Sequence, residues 1–130
     1  MANSGKYPNW QGKLILIVED IEHNYMFFST LLKLTQAEVE IATDGVQAVE
    51  FCKNNPNVDI ILMDLKLPRM TGLDAIKEIR KIRPDLPIIA QTAYAWIGQK
   101  EKVLGLGANE FLSKPVKKDI LLNVIGKYFK

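Results

Sequence analysis

The sequence predicts an α/β fold in which a parallel β-sheet is covered by helices on both faces. Short apolar runs alternate five times with segments of helical periodicity, which is the pattern of repeated β-α units. Polar residues follow several of these runs directly, at the edge of a parallel sheet where ligands bind. With 130 residues, the chain is long enough for one domain with a three-layer core.

The first two β-α units differ in how deeply their strands should be buried. The first strand is continuously apolar, as expected for a central strand, whereas the second alternates apolar and charged residues and suits an edge. The predicted bounds are Leu14–Val18 and Val39–Ile41 for the strands, Glu22 to about Leu34 for the first helix, and Gly45 to Asn54 for the second. Apolar residues at helical spacing predict the inner faces: Met26, Phe27, Leu31 and Leu34, then Val46, Val49 and Cys52.

The remaining three units follow the same alternation. The third strand is central, and the fourth begins at a proline, where a missing N–H donor is tolerated. The predicted strands are Val58–Met63, Pro87–Ala90 and Glu110–Leu112, and the helices are a segment ending before Pro84, a short one near Gly98–Leu106, and one from about Lys117 to the chain end. The inner faces are expected at Leu73, Ile76, Ile79 and Ile82, and at Ile120, Leu121, Val124, Ile125 and Tyr128.

The domain is expected to occupy residues 13–130, with residues 1–12 as a linker or an added tail. A net charge of +2 does not indicate binding to nucleic acid, and no apolar run is long enough for a transmembrane helix. Cys52 is the only cysteine, which predicts a buried thiol in a reducing compartment. The expected location is the cytoplasm.

Three carboxylates are expected to meet at one edge of the sheet. Glu19 and Asp20 follow the first strand, and Asp64 follows the third strand. The first and third strands are neighbours if the second strand lies at an edge. Carboxylate oxygens suit a hard cation such as Mg²⁺ or Mn²⁺, which would relieve their repulsion. Alternatively, Asp20 or Glu22 caps the first helix, although this explains only part of the set.

Asp64 is the candidate nucleophile, because a carboxylate can accept a phosphoryl group. Such a transfer depends on neutralising charge, which predicts a metal and a lysine beside the transferred group. Lys114, followed by Pro115, is the candidate lysine, and Thr92 offers a hydroxyl at the end of the fourth strand. His23 is the only histidine, and a solvated helix position is expected for it rather than metal ligation.

These residues belong to four segments that resemble the receiver domains of two-component response regulators. The segments are LILIVED, DIILMDLKLPRMTG, PIIAQTAYA and NEFLSKP, in the family's order, and the resemblance extends over about residues 13–129. It implies a flavodoxin-like (βα)5 three-layer sandwich with strand order 2-1-3-4-5. It also implies that Asp64 accepts a phosphoryl group from the phosphohistidine of a histidine kinase or phosphotransfer domain.

The resemblance assigns a role to each site residue. It implies that the metal, Mg²⁺ or Mn²⁺, is bound by Glu19, Asp20, Asp64 and the backbone carbonyl of Lys66. Thr92 and Lys114 would contact the phosphoryl group. Thr92 and Phe111 would then switch the surface formed by the fourth helix, fifth strand and fifth helix. A phosphorylation-dependent dimer is one expected use of that surface, with no direct contact to nucleic acid or membrane.

Three positions depart from the commonest family pattern. Phe111 replaces a tyrosine, so a switch there would work by packing alone. Lys66 and Tyr94 occupy positions that control the access of water to the phosphoryl group, which predicts slow autodephosphorylation. The only enzymatic activity expected is this self-catalysed phosphoryl transfer and hydrolysis.

Other classes of protein fit less well. A haloacid-dehalogenase-like phosphatase needs a second aspartate where Lys66 stands, and a flavodoxin-like cofactor binder needs a phosphate loop after the first strand, which is missing. A phosphorylation-independent interaction module is disfavoured by the intact acidic set. The lead-in YPNWQGK and the QTAYA and SKP segments resemble bacterial hybrid sensor histidine kinases, which favours the C-terminal receiver of such a kinase over a stand-alone protein.

Overall fold

The computed structural model describes residues 6–93 and 95–129 and contains five strands and five helices in strict alternation. The strands are β1 (Leu14–Val18), β2 (Glu38–Ala42), β3 (Ile60–Asp64), β4 (Ile88–Thr92) and β5 (Glu110–Ser113). The helices are α1 (Glu22–Lys33), α2 (Gly45–Asn54), α3 (Gly72–Ile82), α4 (Gln99–Gly105) and α5 (Lys118–Gly126). Most bounds differ from the predicted ones by one or two residues, but α5 ends at Gly126 rather than with the chain.

The sheet is parallel throughout, with the order β2-β1-β3-β4-β5, which confirms the predicted fold. β2 lies at one edge, and four of its five residues are not buried. β1 and β3 are neighbours whose residues are all buried. The chain segments after β1 and β3 therefore leave the sheet side by side, at its carboxyl edge.

Alternation along the strands divides the core into two layers. On β1, Leu14, Leu16 and Val18 face the layer that contains α2 and α3, whereas Ile15 and Ile17 face the layer that contains α1 and α5. Both layers are apolar and almost fully buried, which accounts for the continuous apolar runs of the central strands. Cys52 lies in the first layer as a free thiol, and burial raises its pKa to about 11. No helix among the described residues is long and apolar enough to cross a membrane.

The predicted inner face of α1 is wrong except at Leu31. Met26 and Phe27 are each 50% exposed and Leu34 is 41% exposed, while Phe28 and Leu32 are buried. The cause is that α1 carries apolar residues around most of its circumference, so periodicity alone does not identify the side that packs. The helix consequently presents an apolar face to solvent.

Three other predicted core positions are also wrong. Ile82 is 39% exposed because steps of three residues drift around a helix of 3.6 residues per turn, and Ala75 is buried in its place. Val46 is 39% exposed in the first turn of α2, and Ile120 is 49% exposed next to buried Leu121. Each lies at the margin of its helix's buried stripe.

Part of the segment before β1 packs on the domain. Trp10 is only 6% exposed, and its backbone N–H donates to Thr35 O at 2.6 Å. Its ring meets that of Phe129 edge to face at 5.2 Å, and the Lys13 ammonium lies 5.4 Å from the same Phe129 ring. Trp10 thereby joins the α1–β2 connection to the end of α5.

Candidate phosphorylation site

The structure brings the three predicted carboxylates together at the carboxyl edge of the sheet. Glu19 and Asp64 are buried, Asp20 is exposed, and one oxygen from each lies within 4.8 Å of the others. Glu19 Oε2 accepts from the Ile21 N–H at 3.2 Å, which orients its carboxylate. The alternative that Asp20 caps α1 is not supported, because the N-cap is Ile21 and no side-chain cap hydrogen bond forms, whereas Glu22 does lie in the first turn of α1.

Lys114 places a cation against two of these carboxylates. It follows β5, its side chain is 16% exposed, and its peptide bond with Pro115 is cis. The ammonium donates to Glu19 Oε1 at 2.7 Å and to Asp64 Oδ2 at 3.4 Å. Lys114, which lies 95 residues after Glu19 and 50 residues after Asp64, therefore meets both carboxylates in one partly buried cluster.

The environment of Asp64 changes its acidity. Burial and the charge of Glu19 together raise the pKa of the Asp64 carboxyl to about 6, against the opposing effects of Lys114 and the Lys66 N–H. Positive charge beside Asp64 therefore favours the ionised, nucleophilic form. The ionised Asp64 carboxylate is destabilised by its surroundings, so a nearby cation both stabilises it and favours its reaction as a nucleophile.

The loop after Asp64 is held close to the carboxylate. The Lys66 N–H donates to Asp64 Oδ1 at 3.3 Å, and the Lys66 side chain is exposed. Gly72 starts α3 against the end of β3, with its N–H donating to Leu65 O at 3.0 Å. A Cβ at Gly72 would collide with the Asp64 carbonyl oxygen and lie 2.7 Å from Leu65 Cα, so only glycine permits this approach.

The same loop is tied to α2 by an ion pair that sequence reasoning missed. Arg69, which has a positive φ of 62°, pairs through Nε with Asp44 Oδ2 at 2.9 Å and also through Nη2. Asp44 caps α2, because its Oδ1 accepts from Gln47 N–H at 2.8 Å. Burial acts to raise the pKa of Asp44, but these hydrogen bonds and the Arg69 charge hold it below its ordinary value. The Asp-Gly turn signalled the cap, while nothing local signalled the arginine.

The two proposed switch residues lie on β4 and β5. Thr92 ends β4 with 3% exposure, and its carbonyl accepts from the Lys114 N–H at 2.8 Å. Phe111 pairs with Ala90 in the sheet register and packs against the α2–α3 side of the core. Thr92 and Lys114 are thus coupled through backbone, while Tyr94 lies outside the described residues. His23 is exposed on α1, as expected.

Sequence reasoning also missed Gln91, which precedes Thr92. It is fully buried in a strand whose other members are apolar apart from Thr92, and its amide has no hydrogen-bond partner. The signal was present in the sequence as one polar residue within IIAQT.

The donor set fits a divalent cation such as Mg²⁺ by its chemistry. Glu19, Asp20 and Asp64 offer only oxygen ligands, and Asp20 opens to solvent, which suits an ion that retains several waters. Lys114 neutralises only part of the charge of the three carboxylates. The cluster therefore has both the ligands and the charge for a second cation.

Comparison with known proteins identifies the family to which the chain belongs. A family model of the response regulator receiver domain matches residues 15–126. The chain is 38% identical over 116 residues to the signal transduction histidine-protein kinase BarA of Escherichia coli, covering 88% of this chain but 12% of that protein. It is 40% identical over 128 residues to hybrid signal transduction histidine kinase G of Dictyostelium discoideum, covering 95% of this chain and 4% of that protein.

A solved receiver domain is also similar to this chain in structure. The receiver domain of a sensor histidine kinase from Pseudomonas aeruginosa, solved with a magnesium ion coordinated in its active site cleft, superposes with a TM-score of 0.83. The two are 36% identical, and the match covers 91% of this chain and 98% of that one. The chain spans only a small part of the two histidine kinases named above. By its match to the family model, it belongs to the response regulator receiver domain family.

Proposed function

We propose that Asp64 is the phosphoacceptor of a two-component phosphorelay. The observation that carries this proposal is the position of the Asp64 carboxylate, which lies at the end of a buried strand within a cluster of two further carboxylates and one ammonium. A carboxylate with an elevated pKa reacts best where positive charge is available, and this cluster supplies or attracts it. Family membership supports the same role.

In the proposed reaction, one Asp64 carboxylate oxygen attacks the phosphorus of a phosphohistidine. The new P–O bond forms as the P–N bond breaks, and the electron pair of that bond stays on the imidazole nitrogen, which can then take up a proton. Lys114 and the Thr92 hydroxyl stabilise charge on the phosphoryl oxygens. A bound Mg²⁺, held by Glu19, Asp20, Asp64 and the Lys66 carbonyl, would neutralise charge on the transferred group.

The phosphodonor domain docks, we infer, on the exposed apolar face of α1. A groove of about 420 Å³ runs along this face, lined by His23, Met26, Phe27, Thr30, Leu31 and Leu34. Phe27 also lines a second groove of about 360 Å³, which reaches Ala93 and Lys114 at the phosphorylation site. A helical partner seated on α1 would therefore bring its phosphohistidine directly to Asp64.

The output proposed is a change in the surface formed by α4, β5 and α5. The Thr92 carbonyl is bonded to the Lys114 N–H, and Phe111 is two residues before Ser113, the register partner of Thr92. A movement of Thr92 toward the phosphoryl group would thus act on β5 through the sheet. Because Phe111 carries no hydroxyl, the change would be read out by packing, with a partner or a second copy of the domain as the receptor.

The setting proposed for this domain is the cytoplasmic part of a hybrid histidine kinase of bacterial type, in which it receives and passes on phosphoryl groups. Similarity to BarA and to the Pseudomonas aeruginosa sensor kinase receiver supports this setting. No other activity is proposed for the domain beyond its own phosphorylation and dephosphorylation.

Intact-mass measurement after incubation with Mg²⁺ and a small phosphodonor such as phosphoramidate tests the central proposal. The expected result is a gain of one phosphoryl group that requires Mg²⁺ and is absent in Asp64→Asn. Asp44→Asn is the matched control, because Asp44 is a buried carboxylate outside the cluster and should leave the adduct intact. An adduct that persists in Asp64→Asn would refute the assignment.

The docking inference has its own test. Phe27→Ala should slow transfer from a phosphorylated histidine phosphotransfer domain while leaving phosphorylation by phosphoramidate unchanged, because only the protein donor uses α1. Ile82→Ala, which changes an exposed apolar residue on α3, serves as the control. Equal rates for Phe27→Ala and wild type with the protein donor would exclude this face.

A further inference from the structure

Gln91 carries a polar group with no partner in the core beside the proposed phosphoacceptor. The residue is fully buried, and neither Nε2 nor Oε1 has a hydrogen-bond partner. Among the described residues, the only other buried side-chain polar atom that lacks a hydrogen-bond partner is one nitrogen of Arg83. Buried amides are nearly always satisfied, so an unsatisfied one next to a reactive centre indicates a second arrangement in which it is used.

The sheet register places Gln91 directly beside Asp64, on the neighbouring strand. Gln91 pairs with Asp64 on one side and with Leu112 on the other, and paired residues of a parallel sheet face the same way. Alternation along β4 puts Gln91 on the same face as Ile89, the face covered by α1 and α5. Asp64, two residues after Leu62, shares that face by the same alternation.

Lys114, two residues after Leu112, is a donor at this site with hydrogen-bonding capacity left. Its ammonium has three donors, and the described contacts use two of them, on Glu19 and Asp64. Those two carboxylates are also the proposed metal ligands, so a divalent cation bound there would compete with Lys114 for their oxygens. The ammonium then needs another acceptor close to Asp64.

We propose that Gln91 is a positioning residue for Lys114, with Oε1 accepting from the Lys114 ammonium when the carboxylates are engaged by the cation and the phosphoryl group. This contact keeps the ammonium directed at the Asp64 phosphoryl oxygens rather than toward solvent. The inference rests on the proposed function of Asp64 and goes beyond it by assigning a role to a residue outside the site motifs.

A double-mutant cycle between Gln91 and Lys114 tests this role. Gln91→Met removes the amide while retaining an unbranched chain of similar volume, and Ile89→Met makes a comparable change two residues earlier on the same face. With phosphoramidate and saturating Mg²⁺, Gln91→Met should lower the rate constant of phosphorylation by about tenfold. It should have no further effect in a Lys114→Ala background, and Ile89→Met should leave the rate unchanged.

Two measurements besides activity separate positioning from a structural role. The thermal midpoint of Gln91→Met without Mg²⁺ should be equal to or above that of wild type, because a buried unpartnered amide is lost. A crystal structure of the wild-type protein with Mg²⁺ and beryllofluoride should show Gln91 Oε1 and Lys114 Nζ within hydrogen-bond distance.

Each outcome decides the matter. A wild-type rate in Gln91→Met, an undiminished effect in the Lys114→Ala background, or an equal effect of Ile89→Met would overturn the proposal for Gln91 alone. Failure of the wild-type protein to take up a phosphoryl group would overturn the proposed function of Asp64 and this inference together.

Discussion

The Lys114 ammonium lies 2.7 Å from Glu19 Oε1 and 3.4 Å from Asp64 Oδ2. The closer contact is thus with Glu19, which is proposed only as a metal ligand, and not with Asp64, which is also the proposed nucleophile. Removing the lysine leaves two buried carboxylates facing each other, so Lys114 stabilises the fold as well as the reaction. A bound divalent cation can take over the first of these roles but not the aim of the ammonium at the phosphoryl group.

Lys114→Ala is therefore expected to destabilise the protein at pH 7 by on the order of 3 kcal/mol, because Glu19 and Asp64 lose their cation. Saturating Mg²⁺ should recover much of this loss by binding the same oxygens, whereas the phosphorylation rate should stay low. Urea unfolding with and without Mg²⁺ measures the first effect. Lys117→Ala, an exposed lysine three residues away, is the control, and Mg²⁺-independent instability of Lys114→Ala would contradict the expectation.

Asp64 should make the protein less stable as the pH rises. Burial and Glu19 raise its pKa from 3.8 to about 6, so the unfolded chain releases this proton before the folded chain does. Without Mg²⁺, stability should fall between about pH 4 and pH 6. Asp64→Asn should remove that part of the pH dependence. At pH 7 its free energy of unfolding should exceed that of wild type by about 2 kcal/mol. Parallel pH profiles of the two proteins would show that the charge of Asp64 is not the cause.

The pair between Arg69 and Asp44 should be visible as a coupling energy. Arg69→Ala should cost under about 1 kcal/mol because the arginine is largely exposed, whereas Asp44→Ala also removes the α2 cap and should cost about 2 kcal/mol. A double-mutant cycle by urea unfolding isolates their interaction. Strict additivity of the two changes would mean that the ion pair does not hold the loop in solution.

Gly72→Ala tests the close approach of α3 to the end of β3. The new methyl group would meet the Asp64 carbonyl oxygen and Leu65 Cα, so the backbone around the site must shift, at a cost of roughly 1–3 kcal/mol. Gly105→Ala is the matched control, because a Cβ there would have no atom within 4 Å other than its chain neighbours and the nearby backbone of α4. That change should stabilise the helix by up to about 1 kcal/mol. Similar thermal midpoints for the two variants would rule out the predicted collision.

Slow autodephosphorylation is the prediction that depends on the residues flanking the site. Lys66 is exposed one residue beyond buried Leu65, where its long side chain can screen the phosphoryl group from water. Tyr94→Ala and Lys66→Ala should each shorten the lifetime of the phosphorylated protein, which intact mass measures over time after donor removal. A fast loss of phosphate from the wild-type protein that is unchanged by Tyr94→Ala would exclude a gating role.

The sequence allowed the fold and the acidic cluster to be predicted because both depend on local patterns. A polar residue that ends an apolar strand must lie at the carboxyl edge, so Glu19, Asp20 and Asp64 had to converge once β1 and β3 were neighbours. Lys114 was predicted as the candidate lysine from its position after the fifth strand, and the family resemblance then assigned its contact with the phosphoryl group.

What could not be predicted depends on tertiary contacts. The apolar residues of α1 surround most of the helix, and only packing against β1 and α5 selects Phe28 and Leu32 for the interior. The partner of Asp44 is 25 residues away on a loop whose path follows from the entire β3–α3 connection. Gln91 was visible as a polar residue in a strand, yet its burial without a partner is a property of the folded core.

The packing of Trp10 on the domain determines where flanking chain segments would be attached. Trp10 meets the α1–β2 connection and the ring that follows α5, both at the end of the sheet where the parallel strands begin. The chain before Trp10 and the chain after Phe129 therefore start from two rings that touch each other. This contact and Asp64 lie at opposite ends of the strands. Neighbouring domains on either side can be attached there without obstructing the approach of a phosphodonor to the opposite edge.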